Sequence, residues 1–183
     1  MTAAIYLIRH GMTQANREDR FAGRTAEPLH PEGARQIREI GRKLREEGLA
    51  CVYAGPLART MQSAEILSQT CGIPYAVQDG LTDIHLPHWD GLTKEEIRQR
   101  FGEQYPTWKQ SPDLFQVAHC ETLADVQKRA VHAVERIRGR HPGQKVLLVT
   151  HLIVARCLML HYAGGSLAQF RSIKVDNGDV VRL

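Results

Sequence analysis

A chain of 183 residues, 43% of them apolar and 24% charged, has room for one domain with a sizeable core and is short for two. That composition excludes a disordered or low-complexity chain, and the net charge of +4 comes from arginines spread along helical patterns with few aromatics, which argues against nucleic acid as a partner. No apolar run approaches the roughly 18 residues of a membrane span, and the short stretch after Met1 lacks the basic flank of a secretory signal, so a cytoplasmic protein without a membrane partner is expected.

The first element is a strand over Ala3 to Ile8, near-continuously apolar and therefore buried on both faces, which stops abruptly at Arg9-His10-Gly11. His30-Pro31-Glu32-Gly33 opens an amphipathic helix with Ala34, Ile37, Ile40, Gly41 and Leu44 on one stripe, stopped by Gly48. Cys51 to Ala54 is a short strand that ends at Gly55-Pro56, and Leu57 to Cys71 has helical spacing before Gly72. Tyr75 to Val77 is a third strand, followed by an irregular stretch and a helix capped by Thr93 and Glu96. Residues 101–119 show no clear period and are read as short helices and a loop forming a lid. Thr122 to Arg138 is a long helix, Lys145 to Thr150 a second fully buried strand ending in His151, and a helix follows. Ser172 to Leu183, with Asp176-Asn177-Gly178 at its centre, reads as a closing hairpin. Strands alternating with helices predict a single α/β domain over residues 1–183, a three-layer α/β/α sandwich with a mostly parallel sheet and a C-terminal hairpin. A last strand at a sheet edge could pair with a second copy in a homodimer.

Two buried strands that each end in a histidine would bring His10 and His151 to one edge of the sheet if they were neighbours, and ligands bind at such carboxyl edges. The strand Cys51 to Ala54 feeds Arg59 to the same edge. Guanidinium forks match phosphate oxygens and stay charged, so Arg9 and Arg59 beside two imidazoles predict a site for a tetrahedral dianion. Neighbouring cations also disfavour imidazolium, which leaves His10 neutral and nucleophilic. Cys51, Cys71, Cys120 and Cys157 are scattered without a C-x-x-C pair and read as reduced thiols. His85-Leu86-Pro87-His88 resembles a metal cluster only superficially, because Pro87 breaks the helix that would align both imidazoles, so no metal and no cofactor are expected.

The stretch Leu7-Ile8-Arg9-His10-Gly11-Met12-Thr13 with Asn16 resembles the signature of the histidine phosphatase, or phosphoglycerate mutase-like, superfamily. The resemblance continues through Leu29-His30-Pro31-Glu32-Gly33, Gly55-Pro56-Leu57-Ala58-Arg59-Thr60, Trp89-Asp90-Gly91-Leu92-Thr93, Glu121-Thr122-Leu123, Val149-Thr150-His151 and Asp176-Asn177-Gly178, in order over nearly the whole chain. It implies a metal-independent phosphomonoesterase acting on a small phosphorylated metabolite, of the compact or α-ribazole phosphatase-like kind. His10 would be the phosphorylated nucleophile, with Arg9, Arg59, Asn16 and His151 around the phosphoryl oxygens. Gly11 would let backbone approach the ligand, and the Leu152 amide would serve the phosphate although the family commonly has glycine there. Glu121 would contact the substrate or the phosphate rim. The proton donor, usually a glutamate, falls at Asp83, one methylene shorter, with His85 as an alternative. Mutases of the superfamily tend to be longer and tailed, which favours hydrolysis here over mutase transfer or non-catalytic phosphate binding.

Overall fold

The computed structural model describes residues 2–183, and its centre is a five-stranded sheet in the order β3-β2-β4-β1-β5. β1 (Ala4–Arg9), β2 (Leu49–Ala54), β3 (Tyr75–Val77) and β4 (Lys145–Thr150) are parallel, and β5 (Val180–Arg182) lies antiparallel to β1 at the edge. β4 explains why the central strands read as unbroken apolar runs. Its Val146 and Leu148 join one core and its Leu147 and Val149 the other, so both faces are covered.

A four-residue helix, α1 (Gln14–Arg17), follows β1, and α2 (Pro31–Leu44) and α3 (Ala58–Cys71) then cross over one face, where Ile37, Ala64 and Leu67 pack on Ile8, Val52 and Val149. The chain next returns toward β1, and a right-handed crossover in that direction must use the opposite face. There α6 (Leu123–Arg140) and α7 (Leu152–Tyr162) bury Val126, Ala130, Val134, Val154 and Leu158 against Leu7 and Leu148. The expected three-layer sandwich is what forms.

Residues 101–119 contain α5 (Gln104–Gln110) and a 3-10 turn over Pro112–Leu114, after α4 (Lys94–Phe101), whose Thr93 and Glu96 make the expected capping box. The segment is firmly anchored. Trp108 and Phe115 sink into an aromatic cluster around the fully buried Trp89, with ring centroids 6.0 and 5.1 Å from it.

The C-terminal hairpin does not form. Val175 is buried in the core and its carbonyl accepts from Arg9 Nη1 at 2.9 Å, so the segment before the turn is held beneath the sheet edge and has no strand to offer. Val180–Arg182 instead pairs with the otherwise open edge of β1, Leu7 opposite Val181. The turn between them is still made, with Gly178 at φ +83° and its amide donating to the Arg9 carbonyl at 3.0 Å.

Candidate active site

β1 and β4 are direct neighbours in a register that sets Arg9 opposite Thr150, so the next residue of each chain, His10 and His151, leaves the sheet at the same place. Arg59 arrives from the first turn of α3 and is fully buried. Asp83 arrives from the loop after β3, which Thr150 fastens by donating its hydroxyl to the Leu81 carbonyl at 2.7 Å. Gly55 makes that approach possible, since a Cβ there would stand 2.7 Å from the same carbonyl. The result is a cleft of about 470 Å³ whose lining includes Arg9, His10, Asn16, Arg59, Asp83 and Leu152.

His10 is 4% exposed, and its Nδ1 lies 2.8 Å from the Gly11 carbonyl. A carbonyl only accepts, so Nδ1 carries the proton and Nε2 holds the lone pair. Burial first, and then the charge of Arg59, keep the His10 pKa well below 6.5. His151 is held down in the same way, by burial, then Arg59 and His10. Both imidazoles are therefore neutral; the sequence led one to expect this of His10, although burial outweighs the neighbouring cations. Asp83 shifts the other way. Burial raises its carboxyl above 3.8 against the pull of Arg59, whose Nη2 is 3.2 Å from Oδ2.

Four nitrogens in this cluster are buried without a hydrogen bond: Arg9 Nε, Arg59 Nε, and both ring nitrogens of His151, whose Nδ1 stands 3.5 Å from Asp83 Oδ2. Guanidinium and imidazole nitrogens gathered at one sheet edge are the donor type that suits an anionic oxygen. Asn16 lines the same cleft. Its Oδ1 accepts from the Thr13 amide at 3.2 Å and from Asn177 Nδ2 at 3.1 Å.

Several expected site residues take other places. Gly11 does not bring backbone to a ligand: a Cβ there would meet the Gly33 carbonyl at 2.7 Å and Ile37 Cγ1 at 2.8 Å, and its amide is spent on Ser63 Oγ at 3.2 Å. It is a packing glycine that lets β1 run close to α2. Glu121 lies outside the cleft, in a salt bridge with Arg129 at 2.8 Å and Arg24 at 2.9 Å. Those two arginines both donate to the Asp83 carbonyl, at 3.0 and 3.1 Å, so they tie Glu121 to the backbone of Asp83. Burial pushes the Glu121 carboxyl up, but Arg129, the His85 amide and Arg24 together hold it below 4.5. His85 is not among the cleft residues; its amide donates to Glu121 Oε2 at 2.9 Å and its carbonyl accepts from the Glu121 amide at 3.0 Å. Sequence reasoning missed Asn177, whose Nδ2 also donates to the His10 carbonyl at 2.8 Å; the Asp-Asn-Gly run signalled a turn and concealed this contact.

The carboxyl edge of this mostly parallel sheet thus gathers two neutral imidazoles, two arginines and one buried carboxyl in a cationic cleft of an α/β protein. The model of the histidine phosphatase superfamily (branch 1) matches residues 5–183, and the chain belongs to that superfamily. It is 27% identical over 173 residues to phosphoserine phosphatase 1 of Hydrogenobacter thermophilus, covering 94% of this chain and 82% of that protein. It is 28% identical over 184 residues to a Shigella boydii protein named "Probable phosphoglycerate mutase GpmB", covering 98% and 83%. Among solved structures, Bacillus stearothermophilus YhfR superimposes with a TM-score of 0.94 at 34% identity, covering 98% of this chain and 90% of that one. Among the described residues, no helix is long and apolar enough to cross a membrane.

Proposed function

We propose that the protein hydrolyses the phosphomonoester of a small metabolite through a phosphohistidine on His10, without a metal ion. The observation that carries this reading is the 2.8 Å approach of His10 Nδ1 to the Gly11 carbonyl, which assigns the proton to Nδ1 and leaves the Nε2 lone pair beside Arg9, Arg59 and His151. In the first step the Nε2 lone pair forms the N–P bond as the ester P–O bond breaks, and the protonated Asp83 carboxyl gives its proton to the departing alkoxide. Arg9, Arg59, Asn16 and His151 hold the equatorial oxygens, where charge is spread in the transition state. In the second step the Asp83 carboxylate takes a proton from water as its oxygen attacks phosphorus, the N–P bond breaks, and phosphate leaves with its electrons balanced by the return of the pair to Nε2. The Leu152 amide, at the start of an eleven-residue helix, faces the same anion.

The GpmB relative favours one second reading, phosphoryl transfer back to another hydroxyl of the substrate, which shares the first step and differs in the acceptor. Hydrolysis of an aryl phosphate in excess EDTA, by the wild type and by His10→Ala, tests the proposal. Turnover that persists in EDTA and disappears in His10→Ala supports it. Activity retained by His10→Ala refutes the nucleophile, and a phosphomonoester with a second hydroxyl that is isomerised without release of free phosphate selects the mutase.

A further inference from the structure

The outer half of the cleft carries cations that the phosphoryl chemistry does not use. Two of them are neutralised locally, Arg20 by Glu18 and Glu96, and Lys94 by Asp19. Arg156 and Arg171 line the same cleft, and among the described residues neither is ion-paired. Arg156 is the one charged side chain between Leu152 and Leu160 of α7, an otherwise apolar helix. It lies four residues beyond Leu152 and so on the same helix face, about 6 Å further along the axis. Its guanidinium carbon is 5.1 Å from the Phe170 ring centroid, and its Nε is buried without a partner. Arg171 reaches the same ring at 5.8 Å and is fixed by its Nη2 donating to the Trp108 carbonyl at 2.6 Å. Burial, then Arg171 and Arg9, lower the Arg156 pKa to about 10, so at neutral pH it remains a cation facing two others. Like charges held together without a counter-ion cost stability, and a bound anion offsets that cost.

We propose that Arg156 and Arg171 form a second anion subsite, so that the substrate is a phosphomonoester bearing another anionic group a short chain away from the ester. This rests on the phosphatase reading of the inner site. The second group is a carboxylate or a phosphate; the arginine forks suit either.

Calorimetric binding of three non-hydrolysable probes tests it: propylphosphonate, 3-phosphonopropionate and propane-1,3-bisphosphonate. The wild type is expected to bind at least one of the doubly anionic probes on the order of 10-fold or more tighter than propylphosphonate, and the better of the two identifies the second group. That ratio should fall most of the way to one in both Arg156→Met and Arg171→Met and be largely kept in Arg156→Lys, which retains the charge. Equal binding of all three by the wild type, or a ratio unmoved in both methionine variants, overturns the subsite. A binding preference accompanied by no hydrolysis of propyl phosphate or 3-phosphooxypropionate would sink the phosphatase reading while leaving the subsite standing.

Discussion

The ring centroids of His10 and His151 lie 5.2 Å apart at 61°, edge to face, because the two histidines follow residues that are opposite one another on adjacent parallel strands. Both rings are buried and neutral, and that has a consequence for stability. An unfolded chain protonates these imidazoles near pH 6.5, whereas the folded one does so only well below it, so the unfolded state binds more protons in the interval. Asp83 acts in the opposite sense, since its raised folded pKa makes its contribution fall as pH rises above 3.8, but it is one group against two. Stability to urea should therefore climb as pH rises toward 6.5, and the climb should flatten in His10→Asn/His151→Asn. An equally steep profile in the double variant would contradict the neutral-imidazole assignment.

Asp83 should matter in proportion to how badly the leaving group needs a proton. For an alkyl phosphate Asp83→Asn is expected to lower kcat/KM by about 100-fold or more, and for p-nitrophenyl phosphate far less. The wild-type alkaline limb should lie above the ordinary carboxyl value, because burial raises Asp83, and should vanish in Asp83→Asn. Parallel losses on both substrates would show that the carboxyl serves Arg59 and not the leaving group.

Glu121 is the counter-ion that allows Arg24 and Arg129 to converge on the Asp83 carbonyl. Glu121→Gln removes the charge between two partly buried guanidiniums and should cost about 1–3 kcal/mol of unfolding free energy. Because the loosened backbone belongs to Asp83, kcat on an alkyl phosphate should fall more than KM rises. A variant with an intact kcat on that substrate would show that the pair is structural only.

Gly11→Ala tests the close approach of β1 to α2. The new methyl meets backbone at Gly33, which has no side chain to move aside, so a destabilisation of about 1–3 kcal/mol is expected together with displaced His10. Chemical denaturation would measure it, and an unchanged midpoint would mean that α2 can shift freely.

Phosphate analogues should stabilise the wild type, since the orphaned nitrogens of Arg9, Arg59 and His151 belong to the folded state alone. Orthovanadate at 100 times its dissociation constant is expected to add about 2.7 kcal/mol. A melting temperature that vanadate leaves unchanged would count against the anion site.

The strands that hold the site were legible because burial on both faces leaves little choice of residue: Lys145 to Thr150 is found at the expected bounds, and the first strand within a residue. Helix α4 was equally plain, since Thr93 and Glu96 cap it through bonds confined to four residues. The terminal segment was misread for the converse reason. Asp176-Asn177-Gly178 specifies a turn locally, but the strand that Val180 to Arg182 joins lies at the other end of the chain. Residues 101–119 gave no period because Trp108 and Phe115 are aimed at Trp89, not along one helix face.

The sequence by itself determined the α/β class, the family and the identity of the groups that meet at the sheet edge, since each is written in patterns a few residues long. The tertiary structure decided which groups are left without partners. Glu121 is withdrawn into an ion pair and Gly11 into packing, while Asn177, Arg156 and Arg171 are delivered to the cleft. Those outcomes depend on contacts between residues distant in the chain and on the burial that shifts their protonation, and neither is encoded by any local run of residues.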